Sequence, residues 1–328
     1  MMSAMLTGNE WVDAMDRHYF AEYVPAGGAA IKFAICYPGV DQRAVANRLR
    51  SQGTSRGFLV ADIDSTLTKV HLVEQLFGRI ADQIPWDEIT DRCLAKFARE
   101  NQWKVPESFL DEGIVDQLDR LNQLGTQQVS LVLQRQIGER ILLNRKFAKD
   151  FRVAMHWLAR ARLDSRLRGT ETYQQLTDWL GGRIRLISDL KPYQIFNKIV
   201  RANARHLLGS LLVWIREAGY AGLIVTLNGF RLLDAQRAED GSVNYTKAAL
   251  FDAYEVFREF IDSTDTLDGL FLSVFVPPEF LDVGNPRARS LAIYPALLYR
   301  VYDELRSQQF ANPLTAMTRL SESSEVPA

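Results

Sequence analysis

Residues 31–43 read Ile31-Lys32-Phe33-Ala34-Ile35-Cys36-Tyr37-Pro38-Gly39-Val40-Asp41-Gln42-Arg43, an apolar run, a turn and the start of a polar helix. That is the setting in which a chain grips a phosphate. A loop of pattern G-x-x-x-x-G-K-[ST] needs glycines so that backbone N–H groups can close around the β-phosphate, a lysine for the γ-phosphate and a hydroxyl for magnesium. Here Cys36 stands at the first glycine, Asp41 at the last, Gln42 at the lysine and Arg43 at the hydroxyl, and Gly39 alone is left. A carboxylate therefore faces the place of a triphosphate, and like charges repel. A second altered position lies at Ala221-Gly222-Leu223-Ile224-Val225-Thr226-Leu227-Asn228-Gly229, a buried strand ending in a polar pair. A nucleotide hydrolase of this kind ends that strand in Asp-Glu, the aspartate fixing magnesium through water and the glutamate polarising the attacking water. Asn228 is a far weaker magnesium ligand, and Gly229 has no base.

A different chemistry is written at Asp62-Ile63-Asp64-Ser65-Thr66-Leu67-Thr68, after another apolar run. It resembles the first motif of haloacid dehalogenase-type phosphatases, in which the first aspartate attacks phosphorus and the second acts as acid and base. Thr226 would supply the hydroxyl of such an enzyme. The acids needed for magnesium are harder to place: Asp262, Asp265 and Asp268 precede the strand 269–276, at the opposite end from a ligand crevice in a parallel sheet. Asp62 and Asp64 are read instead as strand-end and loop acids, with Ser65 or Thr66 capping the next helix. The histidines, His18, His71, His156 and His206, have no metal-ligand spacing, and no acid–His–nucleophile set is legible.

Longer stretches carry a broader likeness. Gly57-Phe58-Leu59-Val60-Ala61-Asp62-Ile63-Asp64, His71, Leu76-Phe77, Asp178-Trp179-Leu180-Gly181-Gly182, Ala218-Gly219-Tyr220-Ala221-Gly222-Leu223, Gly269-Leu270-Phe271-Leu272, Arg289-Ser290, Tyr294-Pro295-Ala296-Leu297 and Asn312-Pro313-Leu314 follow in order. In these blocks the chain resembles the P-loop ATP-binding proteins of the BREX phage-defence systems, the type called BrxD, from about Gly28 to Leu320. The resemblance implies a three-layer α/β P-loop NTPase fold, AAA+-like, with a parallel sheet, working in a defence complex. It also implies a small C-terminal helical lid, and the sequence stops soon after Asn312-Pro313-Leu314. Arg287, Arg289 and Arg300 occupy the neighbourhood where related ATPases supply an arginine finger to the next subunit; an exposed basic loop is the other reading.

With both nucleotide motifs altered, the expectation is an ATPase-like subunit without catalysis, acting as a scaffold or as a regulatory or DNA-associated component. No catalytic residue, metal or cofactor is expected, ATP with magnesium being disfavoured. Two alternatives stand beside it: a nucleotide sensor that binds without hydrolysis through Arg43, and the phosphatase using Asp62 and Asp64. The expected partners are proteins of a defence complex, an active ATPase homologue among them, and nucleic acid. Composition fits a folded cytoplasmic protein: 328 residues, 47% hydrophobic and 24% charged, with net charge −1. No leader or bilayer-length apolar stretch is legible, and the two cysteines cannot build a disulfide framework. Charge is uneven, because residues 151–216 hold twelve lysines and arginines against four acids. That excess, Arg201 and Arg205 included, suits phosphates, an acidic partner surface, or a solvated face. The aromatics Trp157, Tyr173, Trp179, Tyr193, Phe196 and Trp214 in the same stretch are read as core.

The elements that must position these groups alternate, which argues for a parallel sheet. Strands are predicted at Ala30–Cys36, Gly57–Ile63, Gly222–Leu227 and Gly269–Val276, and helices at Gln42–Gln52, His71–Ile84, from Trp86, across Val129–Arg162, from Pro192 to Glu217 and over Val243–Ile261. Residues 1–320 are expected as one domain with a helical insertion at 84–165. A turn is expected at Leu121–Gly125, and disorder from about Thr318, above all at 321–328. The reading further requires residues 31–43 and 222–229 to be adjacent strands opening on a common crevice.

Overall fold

The computed structural model describes residues 5–107, 109, 113–164, 171–282, 289–301 and 311–322. Arg287 and the segment 323–328 lie outside them. The chain divides into two compact units, one formed by Met1–Ile80 with Tyr220–Ala328 and the other by Ala81–Gly219. The helical unit thus runs well past the 84–165 suggested by the sequence.

The first unit holds six strands: β1 (Leu6–Thr7), β2 (Ala30–Cys36), β3 (Leu59–Asp64), β4 (Leu223–Asn228), β5 (Leu270–Val276) and β6 (Met317–Ser321). They form one sheet in the order β1-β6-β2-β5-β4-β3, with every pairing parallel. Both β2 and β5 are buried at every position, as strands covered on both faces must be, and this is why they read as apolar runs broken only by Lys32 and Ser273. On one face, α1 (Gly8–Met15) and α2 (Gln42–Ser55) bury Trp11, Val12, Met15, Val45, Ala46 and Leu49 against Ala34, Cys36, Ile224, Phe271 and Phe275. On the other, Phe257 of the helix Lys247–Asp262 meets Phe33 edge-on at 5.8 Å, and Phe280 stacks on the same ring at 5.4 Å.

Several expectations need correction. β2 and β4 are not adjacent, because β5 runs between them. Strand order is set by long crossovers and leaves no local trace in either segment. What holds is that the two strands end on the same edge of the sheet: Ala34 and Asn228 both pair with Phe275, so β2 and β4 finish nearly level, about 10 Å apart across two strand spacings. Thr318 and Ser321 lie in β6, hydrogen-bonded beside β2, so order continues through residues expected to be disordered. The helix expected from Pro192 begins only at Arg201. Pro192 sits in a 3₁₀ turn, Ile187–Tyr193, and Gln194 with φ of 61° ends that turn before an extended stretch to Val200. The helix expected across Val129–Arg162 is broken into Thr126–Ile137, a π turn over Gly138–Leu142, and Lys149–Leu163.

The elements of the second unit are all helices among its described residues, joined by turns and irregular stretches. Its core includes the fully buried Phe151, Trp179 and Trp214, and Arg162 is buried in a bidentate pair with Asp91 at 2.7 and 2.6 Å. No helix among the described residues is long and apolar enough to cross a membrane.

Candidate functional site

The carboxyl edge of the sheet is where a doubly wound fold presents ligands, and the loop from β2 to α2 lies there. Its first part is a β-turn. Val40 N–H donates to Tyr37 O at 3.1 Å, Pro38 fixes the second position, and Gly39 takes φ of 93° at the third, as a type II turn requires. Two donors that a phosphate loop would turn inward are thereby lost: Pro38 has no N–H, and that of Val40 is spent on Tyr37.

Beyond the turn, Asp41 is the N-cap of α2, its carboxylate accepting from Ala44 N–H at 3.0 Å. A helix start attracts anions through its open N–H groups and dipole. Here the chain supplies that anion itself. A second carboxylate comes from the residues after β6: a Cβ built on Gly39 would stand 2.7 Å from Glu322 Oε2. Gln42 is half-buried and Arg43 exposed on the first turn of α2. Cys36, at the first-glycine position, is buried, its thiol donating to Ala34 O at 3.7 Å, and burial pushes its pKa up to about 12.

On β4, Asn228 spends its side-chain oxygen on Phe230 N–H at 3.2 Å and its backbone oxygen on Ser65 N–H at 3.0 Å. Gly229 donates its N–H to Phe275 O at 2.8 Å, so close that a Cβ would lie 3.1 Å from that oxygen. A side chain at this position would need the Phe275 carbonyl of β5 to give way slightly. Packing, as well as the missing carboxylate, opposes a general base there.

The phosphatase residues are partly brought together. Thr226 Oγ1 donates to Asp62 Oδ1 at 2.6 Å. Arg50 from α2 donates to Thr226 Oγ1 at 2.6 Å and also bonds Asp62. This trio lies on the α2 face, two residues short of the end of β3. It ties α2 to the sheet. Asp64 closes a local turn by accepting from Thr66 N–H at 2.8 Å. Asp262 joins Arg258 and Arg300, ahead of β5 and so at the amino edge of the sheet. No group of three His, Cys, Asp or Glu side chains that could hold a metal occurs among the described residues.

The arginines separate between the units. Arg289 donates to Leu232 O at 3.2 and 3.0 Å and to Tyr245 O at 2.7 Å, and Tyr254 OH donates back to Arg289 O at 2.7 Å. Those bonds hold it inside its own chain. Arg300 is exposed and engages Asp262 and Ala296 O. Arg201 is exposed and Arg205 half-buried, on the helix Arg201–Glu217 of the second unit.

Three participants were not foreseen. Lys32, in the middle of β2 and 4% exposed, donates to Leu314 O and Thr315 O (2.9 Å to the latter) and lies 4.5 Å from the Tyr19 ring. A lone lysine in an apolar strand was the available signal. α1 is opened by a capping box, with Glu10 N–H donating to Thr7 Oγ1 at 3.2 Å and Thr7 N–H to Glu10 at 2.8 Å, and Thr7-x-x-Glu10 could have announced it. Glu322 had no local signal, since it meets Gly39 only through the pairing of β6 with β2.

The six-stranded all-parallel sheet with helices on both faces is consistent with a P-loop NTPase-like fold, and Asp41 and Glu322 lie at the loop after β2. No match was found among curated proteins or solved structures. Among protein families, residues 12–325 match the one described as BREX system ATP-binding protein BrxC/D. That match spans nearly the whole chain, which therefore belongs to the BrxC/D family of BREX system ATP-binding proteins.

Proposed function

We propose that the chain is a catalytically inactive, ATPase-shaped subunit of a BREX defence complex, keeping the nucleotide-binding frame to dock other components. The observation that carries this reading is the Asp41 carboxylate on the first turn of α2, at Ala44 N–H, where a nucleotide phosphate would need to bind. Glu322 beside Gly39 and the closely packed Gly229 support it from two further directions. An active homologue is the partner such a subunit would serve, since a fold without its own nucleotide still offers the shape against which a related ATPase packs.

The test is phage plating on cells carrying the system. Deleting the chain should abolish protection. Gln42→Ala and Arg43→Ala, which sit where an active site would hold its lysine and hydroxyl, should leave protection at the level of the unaltered chain. Loss of protection in either variant, with the protein still present at normal abundance, would refute the inactive reading.

A further inference from the structure

The segment from Arg185 to the start of the helix Arg201–Glu217 shows a mixed surface. Leu186, Phe196 and Val200 are 63, 52 and 48% exposed. Arg185, Lys191, Lys198 and Arg201 are exposed among them, with Asp189 as the acid of this stretch. The surface is held in shape. Lys198 Nζ donates to Arg185 O at 2.7 Å, which brings the two ends of the patch together. Trp179 Nε1 donates to Asn197 O at 2.9 Å, Val200 N–H donates to Asn203 Oδ1 at 2.8 Å, and Leu190 and Ile195 anchor the stretch with fully buried side chains.

We infer that this patch of the second unit docks a segment of another protein that carries both carboxylates and apolar side chains. Charge complementarity selects an acidic occupant, because Arg185, Lys191, Lys198 and Arg201 stand against Asp189, and the further acid beside them, Asp150, is half-buried and accepts from Asn197 Nδ2 at 3.0 Å. The exposed apolar side chains select a protein over a nucleic acid. Leu186 and Val200 have no π-face on which a base could stack, Tyr193 is half-buried against Trp157 and bonded to Thr172, and Phe196 alone makes a poor platform, whereas exposed apolar side chains among charges suit a protein interface. The inference rests on the docking role proposed above and names the surface that performs it. It makes no use of the nucleotide site, so its failure leaves the nucleotide-binding measurements untouched.

Overlapping peptides tiled across the other proteins encoded in the chain's BREX system provide the probe, screened for binding to the full-length chain by fluorescence anisotropy. Peptides that combine acidic and apolar residues should bind. Phe196→Ser, and separately Lys198→Glu with Arg201→Glu, should weaken that binding about tenfold or more, as truncation of an interface anchor does. Single-stranded oligothymidine should not displace the peptides. Leu186→Ser provides an independent variant, and since all these side chains are exposed, melting temperatures should match the unaltered chain. Absence of any bound peptide, displacement by oligothymidine, or unchanged affinity in folded variants would each overturn the inference.

Discussion

Removing the carboxylate of Asp41 should open the loop to nucleotide, and the size of the effect follows from its position. The group accepts from Ala44 N–H at 3.0 Å, so a phosphate drawn to the same helix start would lie about 4 Å from it. Two unit charges at that separation repel by about 1 kcal/mol in bulk water and about 4 kcal/mol at the effective dielectric of a protein surface. At about 1.4 kcal/mol for each tenfold, Asp41→Gly should lower the Kd for ATP between about fivefold and nearly a thousandfold. Glycine costs an N-cap only a few tenths of a kcal/mol, so α2 should stay folded. Adding Gln42→Lys restores a cation at the γ-phosphate position and should tighten binding further, with an affinity that weakens as salt rises. Glu322→Gln should add to both. The assay is titration of each variant with a fluorescent ATP analogue in magnesium, beside its thermal melt. Variants that melt like the unaltered chain and bind no more tightly would refute the argument that the chain's own carboxylates exclude the nucleotide.

Three other outcomes follow from the geometry. Lys32→Met leaves the Thr315 carbonyl without its lysine donor and the Leu314 carbonyl with Tyr19 OH in its place, and should cost about 1–3 kcal/mol in denaturant unfolding; a change within a few tenths would show that the lysine bonds contribute nothing. Arg162→Met removes the bidentate partner of the Asp91 carboxylate at a site where the arginine is 4% and the aspartate 14% exposed, and should cost about 3–5 kcal/mol, while Arg162→Met with Asp91→Leu should recover most of the loss. Burial raises the thiol pKa of Cys36 to about 12, and burial first, then the nearby Glu217, raises that of Cys93 still further. Both should resist a disulfide reagent at about pH 8 in the folded chain and react together on unfolding, the thiolate being the reactive form.

The parts of this fold that were legible in sequence are those whose signal is local. β2 and β5 are apolar runs apart from Lys32 and Ser273, and the apolar stretch of β4 ends at a recognisable polar residue, so their limits fall within a residue or two of expectation. β6 was hidden because Met317-Thr318-Arg319-Leu320-Ser321 alternates weakly and is followed by a polar tail; its burial comes from neighbours far away in the chain. Pro192 misled for a physical reason. Proline suits the first turn of a helix, but here a left-handed Gln194 follows it two residues later, and Phe196 and Val200, periodic as if buried, turn outward. At the site, the residue types Cys36, Asp41, Gln42, Arg43, Asn228 and Gly229 could be read one by one from the sequence. The Asp41 cap of α2 is a local bond to Ala44 N–H, whereas the press of Gly229 against β5 and the approach of Glu322 to Gly39 depend on how the strands pair.

The most direct test of the account is calorimetric titration of the unaltered full-length chain with ATP and magnesium. No saturable heat is predicted at any practical nucleotide concentration, with or without the metal. Saturable, magnesium-dependent binding in the micromolar range would contradict it.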